Sequence, residues 1–234
     1  MAARELFSSD SSKVHSPMTF LSSFRLRPLS RSVSLAAALL SLAGASQAQY
    51  LWLQREGPVV EARMGELGKG SQPLAGLLAP RAFLADGKDL PLAAEAERLA
   101  VTAPATPADL RVVGSRVDAA AATPVLHYYQ ARFGRAETKA VNDLELVPTE
   151  PGGTTFKLVW KGNTVAASQV NVDTSEGWRR VLKPSKDGTV TLGTPFPGLY
   201  LLEVTARVNG AVTVDGKKYE DVRHTATLSF EVAR

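Results

Sequence analysis

The sequence predicts an all-β protein of two β-sandwich domains, the second immunoglobulin-like, and three observations carry that prediction. Apolar and polar residues alternate with a period of two through most of Thr154 to Val232, as half-buried strands require. Turn pairs rich in Gly, Asn and Asp punctuate those runs, which is hairpin chemistry. The chain has no cysteine, so packed sheets rather than a disulfide framework must hold it together.

Taken in order, residues 1–48 are expected to form an extension plus a secretory signal peptide. Arg25, Arg27 and Arg31 precede an apolar run from Val33 to Ala45, and the small residues Ser46 and Ala48 follow. That order places cleavage between Ala48 and Gln49. The run falls short of the roughly 20 apolar residues a spanning helix needs, so no membrane span is expected after processing and the periplasm is the expected location. Met18 offers a second start besides Met1. Residues 1–48 hold five of the 27 Lys and Arg and two of the 23 Asp and Glu, which leaves 22 against 21. A nearly neutral remainder gives no footprint for nucleic acid.

Residues 49–142 are expected to form the first β domain. Tyr50 to Gln54, Val59 to Met64, Arg81 to Ala85, Leu110 to Val113 and Pro124 to Phe133 are its strands, with Asp86-Gly87 as a turn. Leu92 to Val101 has helical propensity, being rich in Ala, Leu and Glu, and is read as strand or irregular. A boundary falls near Asn142-Asp143.

Residues 143–234 are expected to form the second domain. Phe156, Leu158 and Trp160 share one face of a strand, and Gly162-Asn163 turns it into Thr164 to Val172. Trp178 to Lys183, Thr189 to Leu192 and Leu199 to Val208 follow, and Asn209-Gly210 and Asp215-Gly216 are further turns. In the closing strand Val222, His224, Ala226, Leu228, Phe230 and Val232 fall on one side. Arg223, Thr225, Thr227, Ser229 and Glu231 fall on the other. About seven short strands with frequent turns match the immunoglobulin-like pattern, without its Cys-Trp-Cys core.

Chemistry-bearing residues are few. Of three histidines, His15 lies in the leader, leaving His127 and His224 as the candidate metal ligands. Each sits on an alternating strand face, where a hydrogen-bonded, half-buried imidazole is the simpler reading. Glu61, Glu66 and the pair Glu220-Asp221 suit a borderline divalent metal as oxygen donors, yet no H-x-x-x-H or D-x-D-x-D-G spacing occurs. The simpler reading of these acids is charge on solvated strand edges. No G-x-S-x-G elbow or phosphate-binding Gly loop is present, so a non-enzymatic protein is expected. Trp52, Trp160, Trp178, Tyr128, Tyr129 and Tyr200 suit a sugar or peptide groove, but large aromatics in sandwiches usually fill the core.

Six stretches in this order resemble one family: Gln49-Tyr50-Leu51-Trp52-Leu53, Met64-Gly65-Glu66-Leu67-Gly68, Val125 to Ala131, Leu144 to Pro148, Phe196-Pro197-Gly198-Leu199-Tyr200, and Tyr219 to Phe230. The family is a periplasmic domain-of-unknown-function group associated with nickel or cobalt uptake, similar to accessory, substrate-binding-like proteins of cobalt ABC transporters. The resemblance implies a second domain of carboxypeptidase-regulatory, transthyretin-like type. It also implies an envelope transporter or receptor protein as partner, and nickel or cobalt as bound cargo rather than a cofactor. Members place a histidine just after the cleavage site, where this chain has Gln49-Tyr50. The expected function is therefore a periplasmic, non-enzymatic binding or accessory protein for transition-metal uptake. The alternative is a structural or adhesion-type β-sandwich interaction protein of the cell envelope.

Overall fold

A computed structural model describes residues 49–104 and 108–233. The expected signal, its cleavage residue Ala48 and both candidate starts lie outside the described residues, whereas Gln49 lies within them.

The chain is all-β. Its strands in order are β1 (Tyr50–Glu56), β2 (Val59–Gly65), β3 (Ser71–Gln72), β4 (Leu78–Leu84), β5 (Leu92–Ala94), β6 (Leu99–Thr102), β7 (Leu110–Asp118), β8 (Val125–Phe133) and β9 (Leu144–Pro148). They continue with β10 (Thr155–Trp160), β11 (Asn163–Val165), β12 (Val170–Thr174), β13 (Arg179–Leu182), β14 (Thr189–Thr191), β15 (Gly198–Val208), β16 (Val212–Val214), β17 (Lys217–Tyr219) and β18 (Asp221–Val232). The segment with helical propensity, Leu92 to Val101, forms β5, a short connection and β6. Packing overrides propensity there, because Leu99 and Val101 alternate into a buried core.

A seven-stranded sheet in the order β13-β12-β15-β18-β8-β7-β4 is the middle of three layers. On one face lies the sheet β1-β2-β6-β5, with β3 beside β2. On the other lies the sheet of β10 with β9, β11 and β14. Alternation along β15 shows how one strand serves both sides. Leu199 and Leu201 belong to the core under the first outer sheet, while Tyr200, Leu202 and Val204 belong to the core under the second. The arrangement is two sandwiches with a common central sheet.

The expected boundary at Asn142-Asp143 falls between β8 and β9, yet strands from both sides of it occupy this middle layer. β8 pairs in parallel with β18, Val125 beside Asp221 and Phe133 beside Ser229. Two separate domains would each need a sheet of their own. Here a long-range pairing joins the halves, a feature that local periodicity does not encode.

Two turns show the local chemistry. Asp215 and Gly216, with φ of 50° and 74°, close the β16–β17 hairpin as a two-residue loop, the type I′ geometry that suits right-handed strand twist. The turn expected at Gly162-Asn163 sits one residue earlier. Lys161 and Gly162 have φ of 46° and 81°, and Asn163 already pairs with Trp160. Tyr200, fully buried, accepts a hydrogen bond from Phe196 N and donates to Phe196 O. This resembles the tyrosine corner of immunoglobulin-like sandwiches.

Candidate functional site

The two faces of the central sheet are covered unequally, and the difference creates a cleft. On the face shared with β9 and β10, the β16–β17 hairpin folds over the far end and forms a small core of Leu126, Tyr219 and Val222. On the opposite face the outer sheet stops at the start of β1. Beyond it the central sheet lies open as a cleft of about 880 Å³, with Gln49 at its wall.

Pairing fixes which side chains floor it. Across the sheet, Arg116 is opposite His127, which is beside Arg223. Tyr129 is beside Thr225, which is opposite Thr205. Nearer to β1, Asn171 is opposite Glu203. Because side chains alternate across a strand, these polar residues share the face that farther along carries Ala131, Thr227 and Ser229.

A hydrogen-bonded chain runs over this floor. Gln169 Nε2 donates to Asn171 Oδ1 at 3.1 Å, and Asn171 Nδ2 donates to Glu203 Oε2 at 2.6 Å. Thr205 Oγ1 donates to Glu203 Oε1 at 2.7 Å and lies 2.8 Å from Thr225 Oγ1. Glu203 is 4 % exposed, and among the described residues no Lys, Arg or His comes within ion-pair distance of it. At the other end Arg223 grips Asp221 through two nitrogens, at 3.1 and 2.8 Å, and Arg207 adds a third contact. These hold the Asp221 carboxyl below its usual range, the hydrogen bond from Arg223 being the main cause. Arg116 donates to Pro73 O and Ala75 O, and its Nε is buried without a partner.

The two histidines fall on opposite faces. His127 points into the cleft and stacks on Tyr129. Burial lowers its pKa first, and Arg223 and Arg116 add to the effect against Asp118 and Asp221. His224 lies beside Tyr128 in the register. It therefore packs on the other face, stacked on Tyr128 at 4.7 Å and edge-on to Trp160 at 4.7 Å. Its Nδ1 has no partner, and burial pushes its pKa down to about 4. The two candidate metal ligands therefore lie on opposite faces of the central sheet, and among the described residues no group of three His, Cys, Asp or Glu is placed to hold a metal.

Of the acids read as solvated edge charge, Glu220 is exposed, whereas Glu61, Glu66 and Asp221 are held in ion pairs. Glu61 is 2 % exposed and paired with Arg63 and Arg98. Glu66 bonds Lys69 and faces Arg179. Of the aromatics weighed for a groove, Tyr129 lines the cleft, while Trp52 and Tyr200 belong to the cores.

Sequence reasoning missed Glu203 and Asn171, because an isolated Glu on an apolar strand gives no spacing signal. It also missed a buried ionic cluster near the expected boundary. Arg111 and Arg132, both 0 % exposed, share Glu145 Oε1, with Glu137 on Arg111 and Asp109 on Arg132. Glu145 Oε2 also accepts from the backbone N–H groups of Val141 and Asn142. This cluster ties the connection after β8 to β7, β8 and β9, so its role is structural.

The chain matches no known family model, and no curated protein matches it. Among solved structures it is similar to SGBP-B of the mixed-linkage glucan utilization locus of Bacteroides ovatus, determined in complex with a mixed-linkage heptasaccharide. Identity is 14 %, coverage is 77 % of this chain and 45 % of that one, and the TM-score is 0.17. The chain thus spans under half the length of that protein.

Proposed function

We propose that this protein is a non-enzymatic binding protein of the cell envelope whose ligand occupies the cleft on the open end of the central sheet. The observation that carries the reading is the floor of that cleft. A hydrogen-bonded chain of polar side chains, with the buried Glu203 at its centre, faces a concavity of about 880 Å³ instead of a covering sheet. Concave sites with a few convergent polar groups are where small ligands bind. Location in the periplasm rests on the expected signal peptide.

Transition-metal uptake is the specific role implied by the family resemblance. In the cleft it draws on His127 as the available imidazole, flanked by Arg116 and Arg223, which disfavour a cation at that end. Backbone NMR of the labelled protein, titrated with a panel of small polar metabolites and with Ni²⁺ and Co²⁺, tests both levels. Shifts clustered at Gln49, Asn171, Glu203 and Thr225 are expected with an organic ligand. Shifts centred on His127 with Ni²⁺, abolished by His127→Ala, would support metal cargo. No clustered response to any compound would overturn the cleft as the site.

A further inference from the structure

We propose that the Glu203 end of the cleft binds a small organic ligand through a single protonated amino group, an inference that rests on the cleft being the binding site.

The direction of the hydrogen bonds leads to this class. An ionised carboxylate only accepts, so Asn171 Nδ2 and Thr205 Oγ1 must both donate to Glu203. Thr205 has then used its one hydrogen. The contact of 2.8 Å between Thr205 and Thr225 must therefore be donated by Thr225. Gln169 likewise spends an amide hydrogen on Asn171. Each hydrogen bond in the chain runs toward the carboxylate; Asn171 Nδ2 and Gln169 Nε2 each keep one further hydrogen, and lone pairs remain on Glu203, on Thr225 Oγ1 and on the Gln169 carbonyl, all of which line the cleft. Such a surface wants donors. It is also short of positive charge, since the two donors on Glu203 are neutral and a buried anion without a counter-charge is costly.

A protonated amine supplies three donors and one positive charge in a compact head group. A metal ion fits less well. A hard cation such as Ca²⁺ takes six to eight oxygens, and among the described residues no three His, Cys, Asp or Glu converge. The other end of the cleft limits the ligand to one positive charge. Arg116, Arg223 and Asp118 line that end, Asp221 behind them is shared by Arg223 and Arg207, and Arg116 has no acidic partner among the described residues. A second ammonium group is repelled at that end, whereas hydroxyls or a carboxylate are accepted. The ligand is thus a monoamine with a polar or anionic remainder, and an amino sugar or a short peptide's amino terminus both meet that description.

Calorimetry on the full chain and on Glu203→Gln tests the assignment with named probes: glucosamine and glycylglycine, their N-acetylated forms, and putrescine. Expected results are binding of glucosamine or glycylglycine to the unaltered protein and at least tenfold weaker binding of the matching N-acetyl form. Loss of at least tenfold on Glu203→Gln, and no advantage for putrescine, complete the pattern. Whichever of glucosamine and glycylglycine binds identifies the source of the amine. Equal binding of amine and N-acetyl forms, or binding indifferent to Glu203→Gln, would overturn the amine while leaving the cleft as a site. Silence from every probe, together with a changed melting temperature in Glu203→Gln, would make the carboxylate's partner internal and overturn the proposal. NMR shifts at the cleft with some other compound would then still keep the broader reading.

Discussion

At the scale of single residues, His224 shows how burial decides chemistry. Its imidazole sits between Tyr128 and Trp160 with Nδ1 unpartnered, so a proton there has no acceptor and little water. Its folded pKa, about 4, lies below the ordinary value of 6.5. Above 6.5 both folded and unfolded chains carry it neutral. As pH falls from 6.5 toward 4 the unfolded chain takes up the proton first, so stability drops through that window and the loss is complete below about 4. The drop is on the order of 3 kcal/mol. Urea unfolding at a series of pH values should show a shallower decline for His224→Leu than for the parent protein between pH 6.5 and 4; parallel declines would mean His224 is not the group responsible. The sequence made this residue legible only in part. Its place on an apolar strand face could be read from alternation, and that reading holds. Its separation from His127 could not, because it depends on β18 pairing with β8 so that His224 stands beside Tyr128.

At the scale of elements, the free edge of β1 is closed in an unusual way. Thr227 Oγ1 and Ser229 Oγ on β18 each donate, at 2.6 Å, to the carbonyls of Leu51 and Leu53. Those carbonyls point away from β2, so without the hydroxyls they would be buried acceptors on an unpaired edge. Thr227→Val keeps the shape and removes the donor. It is expected to cost about 1–3 kcal/mol, read as a lower urea midpoint, with faster amide exchange in β1 and β2. An unchanged midpoint and exchange pattern would show that the hydroxyl does not close the edge. The alternation in β18 was legible in the sequence, but its meaning was not. A face of Thr and Ser suggests water, yet Thr227 and Ser229 are 2 % and 0 % exposed. Small hydroxyl residues serve a solvated face and a strand-capping face equally well, and only the outer sheet lying over them decides between the two.

At the scale of the whole molecule, the central sheet couples the two cores. Leu201 and Leu202, neighbours on β15, lie in different cores, each 0 % exposed, so neither sandwich keeps its inner sheet if the other melts. Unfolding should be one transition. Leu53→Ala in the first core and Leu146→Ala in the second should each cost about 2–5 kcal/mol and lower the same midpoint, followed by fluorescence and circular dichroism together. Two resolved transitions, each sensitive to one substitution, would show that the halves fold independently. The strands of both halves were readable from period-two alternation and turn pairs, and so was the all-β class. The common middle layer was not, because pairing between β8 and β18 joins stretches separated by about the whole second half of the chain. The cleft followed it out of reach, since its floor is assembled from five strands. The same pairing has a consequence for how the protein is born. β18, the last strand, completes the middle layer, closes the edge of β1 and contributes to the core beneath β10. A chain emerging amino terminus first must therefore wait for β18 before its middle layer can close.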